Sequence, residues 1–317
     1  MFLKKRTPQI IPKLPSAYKT HQSLDSLKSF FVEIFFIISV ILYTSLSFAT
    51  TGISGVSQPR LFKVVLDPGH GGSDEGTVFE NGSVHVAEKT VTLQLAQEVS
   101  HQLRARGFLV SLTRKSDEEV PLPERTKLAN RLGADAFISI HTNSIKYTPS
   151  RDAEGVETYI LNNATDASSR RLARLENSVV SSEPGASPED MDVALILKDL
   201  RLDANLSESK RLACGIQSKL VEATAGNSYY DGEGRLDRSL RRNRGVKQAL
   251  FHVLLGADMP SILVEAGFLS HPHDRSLLLS PTGRQTIGRA IANAVEEYRQ
   301  KKLQKNYSVS LSRCKIN

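Results

Sequence analysis

Residues 64–72 read VVLDPGHGG. Val64, Val65 and Leu66, preceded by Leu61 and Phe62, are β-branched or apolar and predict a buried strand. Asp67 and Pro68 end it. Gly69, Gly71 and Gly72 permit backbone angles closed to other residues, so His70 is presented at the mouth of a strand with little bulk around it. In α/β proteins ligands and chemistry gather at that position. Taken alone, the stretch reads equally well as a tight turn that contains a histidine, so its meaning depends on what the rest of the chain brings to His70.

From Leu61 onward strands and helices alternate. Val91, Leu95, Val99 and Leu103 recur every four residues, which predicts a helix over 90–106 with one apolar stripe. Residues 108–113 read as the next strand, 122–132 as a helix behind a proline, and 135–141 (DAFISIH) and 155–161 as two further strands. The alternation stops over 164–224, where LARLENSVV, DVALILKDL and ESKRLACGIQSKLVEA form three successive helical patterns, read as a helical insertion. A polar loop follows. KQALFHVLL then predicts a helix, PSILVEAGFLS a strand and TGRQTIGRAIANAVEEYRQKK a closing helix. This order calls for an α/β fold: a mostly parallel or mixed sheet with helices on both faces, in a single catalytic domain over 61–301.

The chain's 317 residues, 40% of them apolar, suffice for one large core. Its formal charge of +7 belongs to its ends. Six Lys/Arg face only Asp25 and Glu33 before position 50, and the tail from Gln300 has five Lys/Arg and no acid. The globular part is therefore slightly acidic, which excludes a nucleic-acid footprint on it. A basic leader precedes the apolar run FFVEIFFIISVILYTSLSFA, which closes on Ser47, Phe48 and Ala49 in a small-x-small pattern. Residues 1–49 thus predict a secretory signal or, uncleaved, an N-terminal anchor that is the chain's one membrane contact; Glu33 shortens the clean apolar run. Either way the remainder is expected in the periplasm or otherwise outside the cytoplasm, after a Thr/Ser/Gly-rich linker over 50–60. The basic tail, 302–317, is expected to be mobile. Cys214 and Cys314 lie far apart in sequence without metal-type spacing and are expected to be two incidental thiols.

Three predicted strands end in residues suited to metal chemistry: His70, His141 after FISI, and Glu265 after SILV. Glu88 opens the helix after the first strand. Parallel strands bring their C-terminal ends and the adjoining helix N-termini to one rim, so the four can converge. Two imidazoles and a carboxylate make an open zinc set, and a second carboxylate left off the metal would serve as base.

The chain resembles the zinc-dependent N-acetylmuramoyl-L-alanine amidases, the family called amidase type 3. VVLDPGHGG, AEKTVTL, DAFISIHTN, GVETYIL and MPSILVEAGFLS appear in that family's order between Lys63 and Tyr298. The resemblance implies that His70, Glu88 and His141 bind Zn2+ and that Glu265 is the catalytic carboxylate. It implies hydrolysis of the amide between N-acetylmuramic acid and L-alanine in peptidoglycan, in the service of daughter-cell separation. Two departures stand out. SDEGTVFENGSVHVA is looser than the family's glycine-rich form and offers Glu80 as a substitute ligand, and His271 stands where the family tends to have Asn. The insertion resembles that of division-associated members, in which a helix plugs the site until a LytM-type activator protein withdraws it. Glu176, Glu183 or Glu189 would then cap the zinc, the alternative being a plain packing hairpin. SESK, with Ser207 and Lys210, matches a penicillin-sensitive carboxypeptidase signature without its partner motifs, and otherwise reads as a helix N-cap with a solvated lysine. The competing functions are a zinc peptidase acting inside the stem and a non-catalytic wall-binding scaffold.

Overall fold

The computed structural model describes residues 60–145, 154–178, 188–225, 230–231, 234–235, 242–304, 314 and 316, with 32 and 34–37, and of 188–204 and 230–235 the backbone alone. Two compact units are present, Met1–Arg60 and Leu61–Asn317. In the first, residues 34–37 are helical with Phe35 and Phe36 exposed. The rest of the expected signal or anchor, its cleavage point and nearly all of the linker lie outside the described residues. Among the described residues no helix is long and apolar enough to cross a membrane.

In the second unit the strands are β1 (Lys63–Pro68), β2 (Val78–Asn81), β3 (Val84–Ala87), β4 (Leu109–Leu112), β5 (Ala136–Asn143), β6 (Val156–Leu161), β7 (Tyr230–Asp231), β8 (Gly234–Arg235), β9 (Asn243–Ala249) and β10 (Ser261–Phe268). The helices are α1 (Glu88–Arg104), α2 (Leu122–Leu132), α3 (Ala167–Glu176), α4 (Pro188–Thr224), α5 (Pro272–Leu279) and α6 (Pro281–Leu303), with a short 3-10 turn at His252–Leu254. Six strands form one sheet in the order β4-β1-β5-β10-β6-β9. All neighbours are parallel except β10 and β6. The α/β reading, a mixed sheet covered on both faces, is the architecture observed.

Side-chain alternation assigns each face. Val64, Leu66, Ile138, Ile140, Ile262 and Val264 meet the apolar stripes of α1, α4 and α6, including Val91, Leu95, Leu212, Ile216, Ile287 and Ile291. The opposite face carries Val65, Phe137, Tyr159 and Leu263 under Leu172 and Ala173 of α3, Ala129 of α2 and the 252–254 turn. Toward the C-terminal ends of the parallel strands the residues of this second face turn polar: Asp67, Ser139, His141, Glu265 and Glu157 follow the apolar rows and are all buried. The sheet thereby delivers ionisable groups to one rim without breaking its period of two.

Three sequence-based expectations are corrected, and two further elements are added. KQALFHVLL is not one helix: Lys247–Ala249 belong to β9, the outer strand beside β6, where pairing overrides the helix propensity of Lys, Gln and Ala. DVALILKDL and ESKRLACGIQSKLVEA are one helix, α4, because RLDANLS between them contains neither Gly nor Pro to stop it. The irregular stretch before Glu88 is the β2–β3 hairpin. A short helix, α5, follows Ser270, with Pro272 in its first turn. Finally, Cys214 and Cys314 form a disulfide with a Cα–Cα distance of 5.7 Å, and Ile316 bridges to Val246. The cysteines are thus paired, and the described part of the tail returns to α4 and β9.

Candidate active site

The turn after β1 is built by its polar neighbours. The buried Asp67 carboxylate accepts from Thr113 Oγ1 at 2.6 Å, Ser139 Oγ at 2.7 Å and Arg125 Nη1 at 2.9 Å. Burial alone would raise its pKa; Arg125 and the two hydroxyls hold it below the usual carboxylate range. Arg125 and Arg114 both donate to the Pro68 carbonyl, Arg125 also to that of His70 and Arg114 to that of Gly69. The clamp fixes His70 at a φ of 62°, a left-handed conformation unusual for a residue with a Cβ. Gly69 has a different task from the one its motif suggests. A Cβ there would lie 2.4 Å from the His141 ring, so glycine lets the second imidazole close over the turn.

His70 Nδ1 bonds Asp74 Oδ2 at 2.8 Å, which aims Nε2 at the centre of the rim. His141, in β5, stands beside Glu265 in β10 by register. The two rings meet edge to face at 4.8 Å. Glu88 is the first residue of α1, where an acid is favoured by the helix dipole. Its two oxygens accept from Thr77 N at 2.9 Å and Thr142 N at 2.7 Å. They also lie 3.3 Å from His70 Nε2 and 3.3 Å from His141 Nδ1. Glu176, the last residue of α3, reaches the same centre, 3.2 Å from His70 Nε2 and 3.1 Å from His141 Nδ1.

His70 Nε2, His141 Nδ1, Glu176 Oε2 and both oxygens of Glu265 are buried without a hydrogen-bond partner. Ligand atoms of His70, His141 and Glu176 lie within 4.8 Å of one another. Orphaned imidazole and carboxylate atoms converging on one point are what a divalent ion would satisfy, so the donor set fits a metal. Without one, the imidazoles hold protons. Burial opposes this, but Glu88 and Glu176 raise the pKa of His70 well above normal, and Glu176 and Glu88 raise that of His141 to about 10. Glu265 is raised well above the carboxylate range, chiefly by burial; the charge of His141 opposes this, and Glu176, Glu88 and Glu157 add to it.

The residues singled out in the sequence separate clearly. His70, Glu88, His141 and Glu265 come together, and Glu176 joins them. Glu80 does not: it is exposed on the hairpin, 3.2 Å from His85. Glu183 and the side chain of Glu189 lie outside the described residues. Ser207 is exposed inside α4, which excludes the N-cap reading; neither it nor Lys210 lines the cavities at the rim. The residues between them serve packing, Ser209 Oγ accepting from Ser261 N and Glu208 from the Tyr298 hydroxyl. His271 is at the N-terminus of α5, 3.9 Å from Glu154. Sequence reasoning missed Asp74, whose one signal was its place four residues after His70. It also missed Asn177, whose amide ties the end of α3 to the backbone of Leu250 and His252.

A sequence profile described as N-acetylmuramoyl-L-alanine amidase matches residues 64–297, which spans β1 to α6 and every residue of this cluster. The chain belongs to this family. It is similar to N-acetylmuramoyl-L-alanine amidase AmiA of Escherichia coli K12, 34% identical over 255 residues that cover 77% of this chain and 81% of that protein. Amidase AmiC of Neisseria meningitidis serogroup B is 35% identical over 239 residues, 74% of this chain but 52% of that protein, so this chain spans about half the length of that relative. Among solved structures, the N-acetylmuramoyl-L-alanine amidase of Clostridium difficile 630 superposes with a TM-score of 0.53 at 27% identity, covering 76% of this chain and 98% of that one. The profile, the sequence relatives and the solved structure agree on the amidase family, and the solved structure shares the fold.

Proposed function

We propose that this chain is an exported, zinc-dependent peptidoglycan amidase of the division-associated type. It would hydrolyse the amide between the lactyl group of N-acetylmuramic acid and the first L-alanine of the stem. The observation that carries the reading is that His70 Nε2 and His141 Nδ1 each lie 3.3 Å from a Glu88 oxygen, with Glu265 buried and unpartnered beside them. His70, His141 and Glu88 would hold zinc, a donor set of two imidazoles and one carboxylate that suits this ion. Bound there, zinc supplies a Lewis acid for the scissile carbonyl and lowers the pKa of water towards about 7.

The chain's own groups do the rest. Asp74 fixes the His70 tautomer, and the backbone amides of Thr77 and Thr142 hold the Glu88 carboxylate. Glu265 takes a proton from the attacking water at its carboxylate and passes it to the leaving amine nitrogen. An unliganded buried acid has no purpose in a metal staple, which favours hydrolysis over a non-catalytic scaffold. Glu176 stands where a substrate carbonyl would need to bind, so α3 keeps the enzyme blocked until a partner, expected to be of the LytM type, draws it away.

The test combines metal analysis with mass spectrometry of products from purified cell-wall sacculi. Zinc-loaded Glu176→Ala protein should release free stems beginning at L-alanine, and the parent chain should release few without an activator. Products cut within the stem would replace the amidase with a peptidase. No release from the zinc-loaded variant would leave a scaffold.

A further inference from the structure

The end of the sheet opposite the metal centre is basic and apolar at once. There β1 begins at Lys63, and α1, which starts from Glu88 in the metal centre, ends at Arg104. The 17 residues of α1 rise about 25 Å, which separates the two ends. Leu61 is 50% exposed here, Leu109 47% and Leu303 71%. Short contacts make one surface of them. Leu109 N donates to Phe62 O, Lys302 Nζ stands 5.7 Å from the Phe62 ring, and Arg299 lies 4.0 Å from the Phe108 ring and donates to Arg106 O.

The charge of this surface is uncompensated. Lys63 Nζ donates to the Leu132 carbonyl, Arg104 to that of Val110, and Arg106 to Gln102 O and Asn293 Oδ1. Lys302 faces the rings of Phe62 and Tyr298. All of these partners are neutral. The carboxylates that touch the surface are Asp135, bonded to Lys63 N, Glu208, paired with Arg211, and Glu296, paired with Arg299. Arg211 and Arg299 offset two of them, so positive charge is in excess. Attraction to a charged sheet follows that excess and needs no free N–H group.

Leucines exposed among cations suit an anionic bilayer, which takes apolar side chains below its headgroups and cations beside its phosphates. An anionic wall polymer would meet the cations and leave the leucines in water, and a second copy would oppose like charge to like. Chain order agrees with a bilayer. The second unit begins at Leu61, inside this surface, and residues 50–60 extend at most about 40 Å from the apolar run, so an N-terminal segment kept in the membrane brings this end to it.

We propose that this end of the domain docks on an anionic phospholipid surface, a membrane contact additional to the N-terminal segment. Leu61, Leu109 and Leu303 enter the headgroup layer, and Lys63, Arg104, Arg106 and Lys302 lie at the phosphates. The metal rim then points away from the bilayer, towards the wall of the amidase reading; the docking itself does not depend on that reading.

The chain has no tryptophan, so Leu303→Trp gives the full chain a single reporter on this surface, and Leu175→Trp, at a 60% exposed position beside Glu176, gives one at the metal rim. Each is mixed with vesicles of phosphatidylethanolamine and phosphatidylglycerol that contain brominated lipid, which quenches tryptophan on contact. Leu303→Trp should be quenched several-fold more strongly than Leu175→Trp, and only weakly in phosphatidylcholine vesicles. Lys302→Glu added to Leu303→Trp should bring its quenching down to the level of Leu175→Trp. Salt at about 1 M, where the screening length falls to about 3 Å, should do the same to the native charges, so a charge variant that fails to fold leaves the test intact. Equal quenching of the two reporters in anionic vesicles would overturn the proposal. So would strong quenching of Leu303→Trp that survives both Lys302→Glu and salt. A Leu303→Trp signal that shifts with purified sacculi and not with anionic vesicles would assign the surface to a wall polymer and overturn it as well.

Discussion

Among the described residues none hydrogen-bonds the Glu265 carboxylate, which lies beside His141 across one strand pair and is fully buried. Glu265→Gln keeps the volume and removes the proton acceptor. The variant should bind zinc at the parent stoichiometry and lose turnover by about 10²- to 10⁴-fold, the usual share of a general base. Metal analysis beside a sacculus assay checks both. A second consequence concerns the metal-free protein. The pKa of His141 is raised to about 10 against an ordinary 6.5, so its pairing with Glu176 and Glu88 stabilises the fold fully below pH about 6.5. That contribution is lost as pH rises through about 10. The melting temperature of the apo protein should fall between pH 7 and 10, and Glu176→Gln should flatten the slope; an apo protein that becomes more stable over this window contradicts the pairing. His70, Glu88, His141 and Glu265 were legible in the sequence because each stands near the C-terminal end of a strand or opens a helix, although β5 and β10 run two and three residues past His141 and Glu265. Glu176 was one of three alternatives, since its placement depends on where α3 stops. Asp74 and Asn177 were invisible because they work through short polar bonds to a neighbour and leave no periodic trace.

At the level of elements, α3 is short and weakly held. Asp166 caps its start by accepting from Ser169 N at 2.9 Å, and of its residues only Ser169, Leu172 and Ala173 are buried. Its far end depends on Asn177, which donates to Leu250 O at 2.7 Å and accepts from His252 N at 2.9 Å. Removing that latch should free Glu176 without touching the proposed ligands or base. Asn177→Ala is expected to raise zinc-dependent activity in the absence of any activator several-fold, at a stability cost of about 1–3 kcal/mol for the unpaired backbone groups. Activity unchanged from the parent would mean that α3 does not gate the site. The elements themselves were read correctly where one apolar period ran uninterrupted, as in β1, α1, β5 and α6. They were misread where tertiary pairing overruled local preference, as in β9, or where a polar segment without Gly or Pro was taken for a break, as in α4.

Across the whole molecule, the disulfide joins the helix after α3 to the extreme C-terminus and closes a loop of a hundred residues. Sequence spacing could not reveal it, because proximity in the fold is unrelated to separation along the chain. Disulfides persist in oxidising compartments, which agrees with the proposed export. Cys314→Ser should destabilise the protein by about 2–4 kcal/mol in denaturant titrations, and thiol titration of the unfolded, unreduced protein should find none free. Two free thiols in protein taken from an oxidising compartment would disprove the pairing. The account as a whole depends on one ion at the polar rim of the sheet. The most direct measurement is a crystal of the zinc-loaded chain with anomalous data on both sides of the zinc edge. One peak should lie among His70 Nε2, His141 Nδ1, Glu88 and Glu176, with Glu265 outside the ligand set. A peak elsewhere, or none at full zinc loading, would contradict it.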